Sequence, residues 1–135
     1  MRDIRMVRMA ITLLFSGVVT AFAAPAGANE FDHVWECELK AGRTLDEARA
    51  VSRAWLAAAR SMEHGERLQA YIRYPIIVGD SENRFDFVVR APSLATWGAF
   101  YDRYDDGTAV ADADLKFAEV AICSGSTMWE SIVVQ

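Results

Sequence analysis

Charged residues at alternate positions in two strand-like segments are the main concentration of chemistry in this chain. Glu36 and Glu38 alternate with Trp35, Cys37 and Leu39, while Arg84, Asp86 and Arg90 alternate with Phe85, Phe87 and Val89. A period of two puts such charges on one face of a pleated sheet. A third segment, residues 69–78, contributes Tyr71 and Arg73 to that face if a four-residue loop sets the hairpin register. A five-residue loop would place them with the phenylalanines instead. The four-residue loop is favoured because it keeps the other face uniformly apolar. Together these groups could hold a small acidic or phenolic molecule. The alternative is a set of cross-strand ion pairs, either solvated or buffering a subunit interface.

Trp97, Phe100, Tyr101 and Tyr104 recur at helical spacing, which reads first as core packing and second as the lining of a helix–sheet ligand cleft. The expected ligand-binding set is therefore Glu36, Glu38, Tyr71, Arg73, Asp86, Arg90 and Trp97. No catalytic residue, cofactor or metal is assigned. Ser124, Ser126 and Thr127 lack a Gly-x-Ser-x-Gly elbow and read as a turn before a strand. Asp102, Asp105, Asp106, Asp112 and Asp114 do not have the spacing of a calcium loop closed by a glutamate. They suit a helix break and the amino-terminal turn of the next helix. His64, beside Gly65, reads as a cationic cap for helix carbonyls ahead of a left-handed glycine stop, and His33 lies at the amino-terminal approach.

Cys37 and Cys123 form an even pair with no Cys-x-x-Cys motif. A disulfide is the expected pairing in an exported chain, with Cα atoms about 5–6 Å apart. Two buried thiols, or a metal pair completed by His33 and His64, are the other readings.

Export is suggested by the first 28 residues. Arg2, Arg5 and Arg8 precede an uncharged apolar run over residues 10–23, and small-residue sites follow at Ala23 and Ala28. That is the layout of a secretory signal peptide, with a run too short for a confident membrane span. Cleavage after Ala28 is preferred over Ala23, and a periplasmic or secreted location is expected. Three of the 14 basic residues and one of the 19 acidic ones lie in this leader, which leaves 107 residues with net charge −7. An acidic surface of that kind argues against nucleic acid or anionic lipid as partner. One domain over residues 29–135 is expected, with no membrane association after cleavage.

These residues must be positioned by an alternation of strands and helices. Residues 34–40 read as a strand, and Thr44 with Glu47 as a capping box opening a helix that runs toward Gly65. Residues 69–78 and 84–91 read as a strand pair, with Pro75 confining the first to a sheet edge. Ser93 caps a second helix, residues 105–107 interrupt it, and residues 108–121 continue as helix. Residues 127–134 read as the last strand. Strand, helix, strand, strand, helix, strand is the ferredoxin-like α+β order, with a four-stranded antiparallel sheet in the order 4-1-3-2 and helices on one face.

On this order and on the stretch Ser93-Leu94-Ala95-Thr96-Trp97-Gly98-Ala99-Phe100, the chain resembles the dimeric α/β-barrel superfamily. That superfamily includes cofactor-independent monooxygenases and NIPSNAP-like proteins, and small exported bacterial proteins of the same shape. The resemblance implies a homodimer whose sheets face each other, but names no substrate, because the fold hosts unrelated functions. Two functional expectations follow: a non-catalytic homodimer binding a small ligand or a protein, or a cofactor-independent monooxygenase acting on a phenolic or acidic compound. An apolar cavity between Trp97 and the sheet would be required for the second.

Overall fold

The computed structural model describes residues 29–76, 83–105, 107–132 and 134; the leader expected over residues 1–28 lies outside them. Seven elements follow in order: β1 (Glu30–Leu39), α1 (Leu45–Arg60), β2 (Gln69–Arg73), β3 (Arg84–Ala91), α2 (Leu94–Tyr101), α3 (Ala109–Val120) and β4 (Ala121–Ser131). The strands form one sheet in the order β2-β3-β1-β4, with every pairing antiparallel. This is the expected ferredoxin-like α+β arrangement. Among the described residues, no helix is long and apolar enough to cross a membrane.

Local chemistry explains most boundaries. The Thr44 side chain accepts from the Glu47 N–H while Glu47 reaches back to the Thr44 N–H, so two orphan donors of α1 are satisfied together. Ser93 and Thr108 cap α2 and α3 one-way, their side chains accepting from Thr96 N–H and Ala111 N–H. β2 lies at the sheet edge, as expected, but stops at Arg73, so Pro75 follows the strand and is not part of its ladder.

The end of α1 differs from expectation. The left-handed residue is His64, at φ +68°, and not Gly65. His64 lies 3.6 Å from the Glu63 carboxylate, beyond the helix cap at Ser61. Gly65 is demanded by space instead: a Cβ there would sit 1.8 Å from the Ala59 carbonyl oxygen.

The last strand also begins earlier than expected. Residues 122–126 read as a connection and Ala121 as the end of a helix, yet β4 pairs with β1 from Leu39↔Ala121 to Glu30↔Ser131. The Cys-Ser-Gly-Ser composition is turn-like, but a full-length partner overrides weak strand propensity. The register shifts once, between Glu36↔Gly125 and Cys37↔Cys123, which leaves Ser124 as a bulge.

The core lies between the sheet and its helices. Odd-numbered residues of β1 and β3, among them Cys37, Phe85, Phe87 and Val89, pack against Trp55 of α1, Trp97 and Phe100 of α2, and Val110 and Phe117 of α3. Burying such aromatics contributes about 1.5–3 kcal/mol each before entropy is counted. Cys37 and Cys123 face one another across the β1–β4 ladder and form a disulfide, with Cα atoms 4.0 Å apart. The separation is shorter than the expected span of about 5–6 Å.

Candidate functional site

Six of the seven expected ligand-binding residues share the sheet face away from the helices. The rungs of that face run Gln69–Arg90–Asp32–Trp129, then Tyr71–Val88–Val34–Thr127, then Arg73–Asp86–Glu36–Gly125, then Arg84–Glu38–Ile122. Tyr71 and Arg73 are on the charged face, as the four-residue register implied. Arg90 donates to both oxygens of the buried Asp32, at 2.7 and 2.9 Å, and reaches Glu30 at 2.9 Å. Those hydrogen bonds hold the guanidinium still more firmly in its charged form. Arg90 also lies over the Tyr71 ring, 5.3 Å from its centroid, and the Tyr71 hydroxyl donates to Gln69. Arg73 pairs with Asp86 at 3.1 Å. Glu36, Glu38, Arg84 and Asp86 border a broad surface groove of about 860 Å³.

Trp97, the seventh, stands on the other side of the sheet. There, between helices and sheet, is a cavity of about 270 Å³. The sheet contributes Trp35 of β1 and Phe87 of β3, paired across the ladder with ring centroids 5.7 Å apart. α1 contributes Trp55, whose ring meets Phe87 nearly edge-on at 5.3 Å. α2 brings Trp97 and Tyr101, 5.7 Å apart, and Tyr104 follows in the connection, stacked on Tyr101. Phe117 and Ala118 of α3, with Ala121 and Cys123 of β4, complete the wall. The helical aromatic spacing therefore lines a cleft as well as filling a core.

One carboxylate lines this space among the described residues. Asp114 of α3, exposed at the rim, accepts a 2.8 Å hydrogen bond from the Trp55 indole N–H. Partial burial beside the rings holds its carboxyl above the usual aspartate range, while the indole bond pulls the other way more weakly. By sequence alone Asp114 reads only as a helix-dipole partner. Its indole contact spans 59 residues, and the only sequence signal for it was a carboxylate one position from the buried stripe of Val110, Ala113 and Phe117.

His33 lies on the same side of the sheet as the cavity. Its ring stacks on Trp35 at 3.8 Å and meets Trp97 edge-on at 5.3 Å. Its Nδ1 is buried with no hydrogen-bond partner among the described residues, and burial holds the imidazole below its usual pKa. No cluster of three or more His, Cys, Asp or Glu able to hold a metal occurs among the described residues.

No protein-family model matches the chain. No curated protein matches it either. Among solved structures, a dimeric protein of unknown function and ferredoxin-like fold from Bacteroides fragilis NCTC 9343 superposes with TM-score 0.46 at 13% identity, covering 76% of this chain and 96% of its own. SnoaB, a cofactor-independent oxygenase from Streptomyces nogalater, superposes with TM-score 0.44 at 12% identity, covering 80% of this chain and 96% of its own.

Proposed function

We propose that this chain is an exported, homodimeric binding protein for a small molecule, with the helix–sheet cavity as its ligand site. The observation that carries this reading is the space of about 270 Å³ walled by Trp35, Trp55, Trp97 and Tyr101. Large rings that face open space forgo dispersion contacts that a bound molecule would restore. The size is just under the usual range of roughly 300–1,000 Å³ for ligand sites, which restricts the occupant to a small molecule. Export fits the Cys37–Cys123 disulfide, since such bonds persist in oxidising compartments. Residues 1–28 are then the removed leader and residues 29–135 the functional domain. Self-association fits the open sheet face, where Trp129 is 59% exposed and Tyr71 41%. Native mass spectrometry of protein recovered from the periplasm tests the whole reading. A dimer carrying a small co-purifying molecule is expected; an empty monomer at every concentration would sink it.

The second reading is a cofactor-independent monooxygenase for a phenolic compound. What favours it is the apolar character of the same cavity beside Trp97, together with a carboxyl at its rim whose pKa partial burial raises. Tyr71 and Arg73 stand across the sheet from this cavity, so an anion formed there would rely on Asp114 taking up its proton. Oxygen uptake with simple naphthols and no added cofactor tests this reading, and its absence would leave the binding role alone.

A further inference from the structure

The cavity is aromatic on several sides and carries a single formal charge, which is negative. Trp35 and Trp97 stand 6.1 Å apart with planes at 66°, Trp97 and Tyr101 at 42°, and Trp55 and Phe87 at 80°. Rings set at such angles form the walls of a cage and cannot stack on one flat guest. Among the described residues, no lysine, arginine or histidine lines the space, and Asp114 is its one carboxylate. Resting on the ligand-site reading above, we propose that the cavity is a cage for a small organic cation of the quaternary or methylated ammonium class.

The chemistry follows from the wall. The face of an indole or phenol ring carries the negative end of a quadrupole, and a cation within about 6 Å of the ring centroid is attracted by it. A methylated ammonium also sheds its water more readily than a bare ammonium, so aromatic surface suits its methyl groups. Asp114 supplies the counter-charge. The Trp55 indole N–H fixes one oxygen, and the other has no partner among the described residues. An anion would meet that carboxylate with no compensating base, which disfavours the carboxylates and phenolates that the arginines of the opposite face first suggested. The net charge of −7 over residues 29–135 attracts cations to the surface before they reach the cage.

The test is titration of the purified protein with choline, with tetramethylammonium, and with 3,3-dimethyl-1-butanol, the uncharged carbon isostere of choline. Tryptophan fluorescence and calorimetry read the binding, and indole serves as a neutral aromatic control. Choline is expected to saturate the site at least tenfold more tightly than its isostere. Asp114→Asn, which keeps an acceptor for Trp55, should weaken choline at least tenfold and leave indole unchanged. Tyr101→Leu, at a position 54% exposed and outside the buried core, should weaken choline without loss of fold by circular dichroism. Equal affinity for choline and its isostere would overturn the proposal, as would an Asp114→Asn protein that binds choline normally. Binding of indole alone would overturn the cation cage and leave the ligand site standing. Binding of none of these probes would remove both.

Discussion

Two glycines show how residue-scale requirements differ within one chain. Gly65 sits against the backbone of Ala59, where even a methyl group overlaps the carbonyl at 1.8 Å. Gly65→Ala should therefore cost roughly 2–4 kcal/mol in urea unfolding, because backbone must move to admit it. Gly98 lies inside α2 with nothing within 4 Å of a built Cβ, so Gly98→Ala should instead gain about 0.5–1 kcal/mol from helix propensity. Asp114 gives a pH prediction. Burial raises its folded-state pKa, so the folded protein keeps a proton that the unfolded chain has already released. Stability associated with Asp114 is thus fully present below the ordinary aspartate range and falls as pH rises toward the raised value. Asp114→Asn should abolish that part of the decline and be more stable than wild type at neutral pH, read as the difference between the two urea midpoints across the carboxylate range. A variant whose profile parallels wild type throughout would show that the carboxyl is not held up by its surroundings.

At the scale of elements, the legible features were those whose cause lies within a few residues. The Thr44–Glu47 box, the Ser93 cap and the alternation of β1 and β3 are local, and Pro75 falls just beyond the edge strand β2. The face of Tyr71 and Arg73 was readable because a uniform apolar side permits one parity. What stayed hidden depends on distant partners. β4 begins at Ala121 because β1 offers a full-length ladder, although residues 123–126 look like a turn by themselves. The cavity needs rings from α1, α2, β1 and β3 together with Asp114 of α3, and no window of sequence contains them all. The disulfide joins the two strands that flank the Ser124 bulge, where the ladder is weakest. Replacing Cys37 and Cys123 together by alanine should lower stability by about 2–4 kcal/mol, and a reducing agent should then have no further effect on the melting temperature. An unchanged melting temperature in the double variant would deny the bond a structural role.

For the whole molecule, the two faces of the sheet divide the labour. One buries the aromatic core and encloses the cavity, while the other carries paired charges and the exposed Trp129. If two copies meet through this open face, Trp129 lies where a close-packed ring has most to contribute. Trp129→Ser should raise the dimer dissociation constant at least tenfold in sedimentation velocity while leaving the monomer fold intact. Association unaffected by the change would place any subunit contact elsewhere, with the edge of β4 the next surface to examine.

The bond between Cys37 and Cys123 has a topological side as well. It closes most of the chain into a covalent ring that includes α1, β2, β3, α2 and α3, and it fastens the final strand to the first. Proteins of this size can form domain-swapped pairs by lending a terminal strand to a neighbour, a route that needs that strand to peel away. Here Cys123 cannot leave its own Cys37 while the ring is closed, so β4 cannot be lent as a whole strand, although the residues beyond the bridge are not enclosed. Exchange of the whole strand would have to be made before oxidation and would then carry its bridges between chains. Protein that has folded and oxidised normally should therefore run as a single-chain band on a non-reducing gel, however tightly its copies associate in solution.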